Sequence, residues 1–127
     1  MGIQDGRDYL VLANDDLRAA VALMKEPHQY HNVCFHAQES AEKALKAVLL
    51  TDGLRFPKKH DVELLVDLIR QSRPDFPAFA EGAVVLSQYS VEARYRRAFR
   101  DEVDEEEAQQ AIGFAQDILV MCQELVQ

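Results

Sequence analysis

The chain lacks tryptophan and is poor in the residues that build cross-linked or glycine-dependent folds. Its 127 residues include two cysteines, five glycines and four prolines. Two cysteines are too few for the disulfide framework that stabilises many small secreted domains. The glycines are scattered, so the chain has neither a phosphate-binding glycine loop nor a dinucleotide-binding glycine pattern. What remains is the composition of an ordinary globular domain, 48% hydrophobic and 28% charged.

Long apolar runs are also missing. No run approaches the ~18 apolar residues that a membrane-spanning helix needs, and no charged-then-apolar leader opens the sequence. We therefore expect a cytoplasmic protein that does not bind membranes. Cys34 and Cys122 lie among apolar residues at helical spacing, so we expect both to be buried free thiols in a reducing compartment.

Basic residues are absent from the end of the chain. Residues 101–127 carry eight acidic residues and no basic one, whereas residues 54–100 carry nine basic and six acidic residues. The net charge of −8 argues against double-stranded DNA as a ligand, because such binding draws on clustered positive charge. The cationic middle still suits a small anion or one RNA strand. The anionic end suits a scaffold that docks a basic partner, and this stays open as one alternative.

Apolar residues recur at steps of three and four along most of the chain, which is the period of amphipathic helices. No segment alternates long enough to predict a strand. The pattern predicts a single all-α domain over residues 1–127, an antiparallel up-down bundle of four to five helices. The predicted helices cover residues 5–25, 32–51, a short segment after 61, 78–90 with an extension towards 97, and the end of the chain from about 104.

The expected helix ends follow from local residue types. Asn32 is a candidate N-cap of the second helix, and Gly53 is placed to end it. Asp104, with Glu107 three residues later, resembles a capping box. Asp16 is assigned to the solvent side of the first helix.

Three local motifs give the chain a more specific resemblance. The first is Phe35-His36-Ala37-Gln38-Glu39-Ser40-Ala41-Glu42-Lys43-Ala44-Leu45-Lys46-Ala47, the second Pro57-Lys58-Lys59-His60-Asp61-Val62, and the third Ala93-Arg94-Tyr95. In this order and at this spacing the chain resembles the HEPN family of small prokaryotic helical nucleotide-binding proteins. The resemblance covers nearly the whole chain.

This resemblance implies a homodimer, and often a neighbouring minimal nucleotidyltransferase in a toxin–antitoxin-like pair. Some family members are metal-independent ribonucleases whose signature is an arginine, four to six residues, and a histidine near the start of the last helix. Here no histidine follows the arginines of residues 94–100, since His60 is the last one. The general acid–base group is missing from that place. We therefore expect no catalytic site; Arg55 and His60 match the spacing only formally and are the weak candidates for the ribonuclease alternative.

The expected function is nucleotide binding or partner binding without catalysis. Lys43 and Lys46 lie three residues apart on one helix face, where they either pair with Glu39 and Glu42 or contact a ligand. The candidate binding residues are Lys43, Lys46, His60, Arg94 and Tyr95, in which Arg94 also has the alternative of pairing with Glu42.

We expect neither a metal site nor a cofactor. Four potential ligands lie close together in the sequence, but their spacing around one helix start does not point all of them inward. These four are His28, His31, Cys34 and His36.

Overall fold

The computed structural model describes residues 5–90 and 103–126. Over these two ranges the chain is helical and forms no strand, which confirms the predicted all-α class. Five α-helices are present there, and a 3-10 turn at Pro27–Gln29 connects the first two. The helices are α1 (Gly6–Leu23), α2 (Tyr30–Thr51), α3 (Val62–Ser72), α4 (Ala80–Ser87) and α5 (Glu105–Leu125).

The helix ends are fixed by side-chain caps and one glycine. The carboxylate of Asp61 accepts the Leu64 backbone N–H at 3.1 Å, and that of Asp104 accepts the Glu107 N–H at 2.8 Å. At the end of α2, Gly53 takes a φ of +72°, and the Leu54 N–H reaches back to the Leu49 carbonyl at 2.8 Å. This is the left-handed glycine ending that the sequence predicted.

Two predicted boundaries were wrong for local reasons. Asn32 does not cap α2: Pro27 starts a 3-10 turn that runs directly into the helix at Tyr30. The Asn32 amide instead donates to the Gln29 side chain at 2.5 Å. Helix α4 begins at Ala80 rather than Ala78, because Phe79 adopts a left-handed backbone with φ +46°, which does not continue into a helix. The extension towards residue 97 lies outside the described residues.

Helix α2 is the centre of the bundle. It packs mainly against α1 and α5, and most of its residues are buried. Its small residues let the other helices come close, as at Ala37, Ala41 and Ala44, each fully buried. Cys34 and Cys122 belong to this core as free thiols, and burial raises the pKa of the Cys122 thiol to about 12. No helix in the described ranges is long and apolar enough to cross a bilayer.

The segment between α2 and α3 sets the direction of the rest of the chain. His60 contacts Glu42 in the middle of α2, and Arg73 at the end of α3 contacts Asp52 at the end of α2. The chain therefore returns along α2 over residues 54–61, and α3 then runs in the same direction as α2. Antiparallel pairs form between α1 and α2 and between α3 and α4, whose Ser87 hydroxyl lies 3.4 Å from the Glu63 backbone N–H. Residues 54–61, the return segment, bring His60 to α2.

Candidate functional site

A group of polar side chains interrupts the apolar packing between α1, α2 and the return segment. The members of this group that belong to α2 lie on one face of the helix, because residues three and four positions apart are neighbours on a helix surface. We call the group the Glu42 cluster. It consists of Asp16 from α1, Gln38, Glu39, Glu42, Lys43 and Lys46 from α2, and His60 from the return segment.

Glu42 is the most deeply buried charged residue of the cluster, with 3% of its side chain exposed. The Nδ1 atom of His60 lies 2.8 Å from Glu42 Oε1, and the ammonium group of Lys46 lies 3.4 Å from Oε2. The Gln38 amide nitrogen donates to Oε1 at 3.4 Å. A buried carboxylate is expensive unless it is paired and hydrogen-bonded, and these three contacts satisfy that requirement.

Asp16 forms the other half of the cluster and was wrongly assigned to the solvent side of α1. Only 13% of its side chain is exposed. One oxygen lies 2.5 Å from the Lys43 ammonium nitrogen, and the other lies 2.9 Å from His36 Nδ1. The Lys43 ammonium also lies 3.7 Å from Glu39. Both predicted i,i+4 pairs, Glu39–Lys43 and Glu42–Lys46, are therefore present at 3.7 and 3.4 Å.

Two groups of the cluster, Glu39 and Lys43, have raised pKa values. Burial raises the pKa of the Glu39 carboxyl, and the nearby negative charge of Glu42 adds to the effect. For Lys43, burial acts to lower the pKa, but the Asp16 hydrogen bond and the surrounding carboxylates outweigh it and raise the pKa. Lys43 is therefore held in its charged form, whereas the charge of Glu39 is disfavoured by its surroundings.

An aromatic ring borders the cluster on the side of the return segment. The Lys46 ammonium lies 5.2 Å from the centre of the Phe56 ring, within the range of a cation–π contact. The Tyr9 ring meets Phe56 edge-on at 6.0 Å. Phe56 is half-buried, and 36% of the His60 side chain is exposed. The cluster thus opens to solvent at the His60 imidazole, with the Phe56 ring and the buried Lys46 ammonium group nearby.

The structure brings together three of the predicted binding residues. Lys46 and His60 meet on Glu42, and Lys43 lies on the same face of α2. Arg94 and Tyr95 lie outside the described residues, as does the alternative pairing of Arg94 with Glu42. Arg55 is exposed on the return segment.

The four residues weighed as metal ligands do not converge. His28 and His31 are exposed, Cys34 is buried in the core, and His36 contacts Asp16. Within the described ranges, the one group of side chains whose geometry could hold a metal ion is Glu39, Glu42 and His60. The sequence predicted the two glutamates only as partners of basic residues: Glu39 of Lys43, and Glu42 of Lys46 or Arg94. Their i,i+3 spacing was visible, but nothing in the sequence showed that His60 would reach them.

A separate cavity of about 400 Å³ lies between residues 72–77 and the end of α5. Met121 and Leu125 line its wall on the α5 side. None of its lining residues belongs to the Glu42 cluster. The cavity and the cluster are therefore two different features of the bundle.

Comparison with known proteins agrees with this all-helical bundle. A sequence model of the HEPN domain matches residues 7–125. The structure superposes on the crystal structure of TT1696 from Thermus thermophilus with a TM-score of 0.76 and 30% sequence identity, covering 94% of this chain and 97% of that one. It also superposes on ST0689, described as an archaeal HEPN homologue, with a TM-score of 0.79 and 23% identity, covering 98% and 100%. This protein belongs to the HEPN domain family.

One curated relative is similar over a shorter region. It is named "Putative toxin MJ1304" and comes from Methanocaldococcus jannaschii. The two sequences are 39% identical over 54 residues, which is 42% of this chain. The match spans about a third of that relative's length, 34%. Its name supplies a direction for the functional proposal below.

Proposed function

We propose that this protein is a non-catalytic HEPN protein that binds a nucleotide, acts as a homodimer, and accompanies a minimal nucleotidyltransferase in a toxin–antitoxin-like pair. Family membership and the toxin name of one relative support the general direction. The observation that carries the nucleotide part is that the buried Lys46 ammonium, the partly exposed His60 imidazole and the Phe56 ring lie together. Two neighbouring groups of the cluster, Glu39 and Lys43, have raised pKa values, and perturbed charges occur preferentially at functional sites.

The chemistry of these groups fits a nucleotide. An ammonium group and an imidazole donate hydrogen bonds to phosphate oxygens, and an aromatic ring offers a stacking surface to a base. Glu42 holds the His60 ring in place at 2.8 Å before a ligand arrives, which lowers the ordering cost of binding. The Lys46 contact is longer, at 3.4 Å, and leaves the ammonium group able to turn to a phosphate. Arg94 and Tyr95 are proposed as additional contacts because the family motif falls on them.

The nucleotide part is tested by titrating ATP and AMP into the purified protein in a calorimeter. Loss of one charge-assisted hydrogen bond costs ~1.5–3 kcal/mol, so we expect Lys46→Gln and His60→Gln to weaken binding by about 10- to 100-fold. Lys25→Gln is the matched control, since Lys25 is exposed beyond the end of α1 and should bind as the wild type does. Equal affinity in all four proteins would place the nucleotide elsewhere.

The partner and the dimer need separate measurements. A short nucleotidyltransferase encoded beside this gene should co-purify with the protein when the two are expressed together. Light scattering on the isolated protein should give twice the monomer mass of 14.4 kDa. Absence of such a neighbour, or of a complex with it, would remove the pairing from the proposal and leave nucleotide binding to be judged on its own titration.

One observation favours a second candidate, a metal-independent ribonuclease. Glu42 contacts His60 through Nδ1 and so orients the ring, which leaves Nε2 as the nitrogen able to move a proton, an arrangement that hydrolytic enzymes also use. The test is incubation of labelled RNA with the protein in EDTA, beside His60→Ala. Cleavage that disappears in the variant would replace the non-catalytic proposal, whereas intact RNA would end this second candidate.

A further inference from the structure

Two carboxylates and an imidazole converge in the Glu42 cluster. One oxygen of Glu39, one oxygen of Glu42 and one ring nitrogen of His60 all lie within 4.8 Å of one another. Ligand bonds of about 2.1 Å place tetrahedral ligand atoms about 3.4 Å apart. Small rotations of these three side chains therefore bring all three atoms to bonding distance from one ion.

A fourth polar side chain, Gln38, adjoins the same place. Gln38 is fully buried, and its Oε1 atom has no hydrogen-bond donor within the described part of the chain. The nitrogen of the same amide donates to Glu42 Oε1, so the amide group adjoins the carboxylate of the cluster. A buried unsatisfied oxygen costs ~1–3 kcal/mol. A half-turn of the amide would direct Oε1 towards Glu42, where a cation between the two oxygens would offset their mutual repulsion.

The two lysines of the cluster do not block a cation. Lys43 is closer to Asp16, at 2.5 Å, than to Glu39, at 3.7 Å. Lys46 lies 3.4 Å from Glu42 and has a second interaction with the Phe56 ring. Good ammonium–carboxylate contacts are about 2.7–2.9 Å, so both contacts with the two glutamates are loose. Each ammonium group can leave its glutamate and keep another partner.

We propose that Glu39, Glu42 and His60 bind one divalent transition-metal ion, with Zn²⁺ as the best-matched ion and the Gln38 oxygen as a neighbouring ligand. The donor set decides the class of ion. Imidazole favours zinc and its neighbours in the first transition series, whereas magnesium and calcium prefer oxygen ligands alone. Half-exposed His60 leaves a coordination position open towards solvent. The site lies on the protein itself and needs neither a nucleotide nor a partner protein.

The test is a calorimetric titration of ZnCl₂ into EDTA-treated and desalted protein, with MgCl₂ as the comparison ion. We expect one Zn²⁺ per chain, and at least a tenfold weaker interaction with Mg²⁺. Glu39→Gln and His60→Gln should each weaken Zn²⁺ binding by at least tenfold. His31→Ala is the control, because His31 is an exposed histidine outside the cluster and its loss should leave the affinity unchanged.

Thermal unfolding with and without Zn²⁺ gives a second readout, because an ion that binds only the folded state raises the midpoint. This rise should be present in the wild type and His31→Ala and clearly smaller in Glu39→Gln, whose unfolding curve also shows that it is folded. No binding by the wild type, or equal binding by Glu39→Gln, would overturn the metal site. Nucleotide is absent from these titrations, so their failure is distinct from failure of the proposed function.

Discussion

Replacement of Glu42 by glutamine tests whether this carboxylate holds the polar cluster together. Glutamine keeps the shape of the side chain and removes the charge. The Lys46 ammonium, with 11% of its side chain exposed, would then lose the carboxylate 3.4 Å away, and His60 would lose its charged partner at 2.8 Å. The Lys46 charge would be left in a poorly solvated place.

The expected loss follows from how deeply the partners are buried. Removing one partner of a fully buried ion pair costs ~3–5 kcal/mol. His60 is 36% exposed, and Lys46 keeps its contact with the Phe56 ring, so both can recover part of their solvation or pairing. We therefore expect a loss of about 2–3 kcal/mol in the free energy of unfolding, at or below the lower end of that range. For a chain of this length the unfolding midpoint should fall by about 6–10 °C.

Urea unfolding at pH 7, followed by circular dichroism, measures this loss. Asp117→Asn is the matched control, since it makes the same carboxyl-to-amide change at an exposed position of α5 and should change stability by less than ~0.5 kcal/mol. The double variant Glu42→Gln with Lys46→Met removes the stranded ammonium group. It should be more stable than the sum of the single effects implies, by about 1 kcal/mol. A Glu42→Gln protein as stable as the control would refute this account of the cluster.

Three further substitutions test local features of the helices. An added methyl group at Gly6 would clash with Thr51 Oγ1 and lie 2.6 Å from the Ala47 carbonyl oxygen. Gly6→Ala should therefore lower the free energy of unfolding in urea by ~1–3 kcal/mol. A methyl group at Gly113 meets nothing within 4 Å, so Gly113→Ala should raise this free energy by ~0.5–1 kcal/mol. The Arg73 hydrogen bonds lower the pKa of Asp52, so Arg73→Gln should be less stable than the wild type at pH 7. The difference in stability between the two proteins should shrink below about pH 3.9, the ordinary aspartate pKa, and disappear as the pH falls through the lower pKa of Asp52 in the folded protein. A difference that stays constant down to pH 2 would contradict this prediction.

The helices could be predicted because their signals are local. The apolar stripe of α2, the glycine that ends it and the aspartates that cap α3 and α5 all act within a few residues of their own position. The start of α2 was placed too late, because a 3-10 turn has no apolar period of its own. The start of α4 could not be predicted either, because a left-handed backbone at a bulky residue such as Phe79 is uncommon.

The candidate site could be predicted only in part, because its members meet through tertiary contacts. The lysine–glutamate pairs of α2 follow from i,i+4 spacing, and they are present. His60 contacts Glu42, 18 positions earlier in the sequence, because the return segment folds back along α2. That segment has no regular apolar spacing from which its path could be predicted. Asp16 was assigned to the solvent because its own helix shows several acidic residues there; that it faces Lys43 depends on how α1 is rotated against α2.

Glu39 is where stability and metal binding should oppose each other. Its pKa is raised by burial and by Glu42, so the folded state prefers the protonated carboxyl. The stabilising effect of the protonated carboxyl is complete below about pH 4.3, the ordinary glutamate pKa. It is lost as the pH rises through the higher pKa of Glu39 in the folded protein. Glutamine mimics the protonated form at every pH, and Lys43 keeps Asp16 as its partner. Glu39→Gln should therefore be at least as stable as the wild type at pH 7, with an advantage that shrinks towards pH 4, while it loses Zn²⁺. A variant that is less stable at pH 7 than at pH 4, relative to the wild type, would show that the Glu39 charge supports the fold and would refute this prediction.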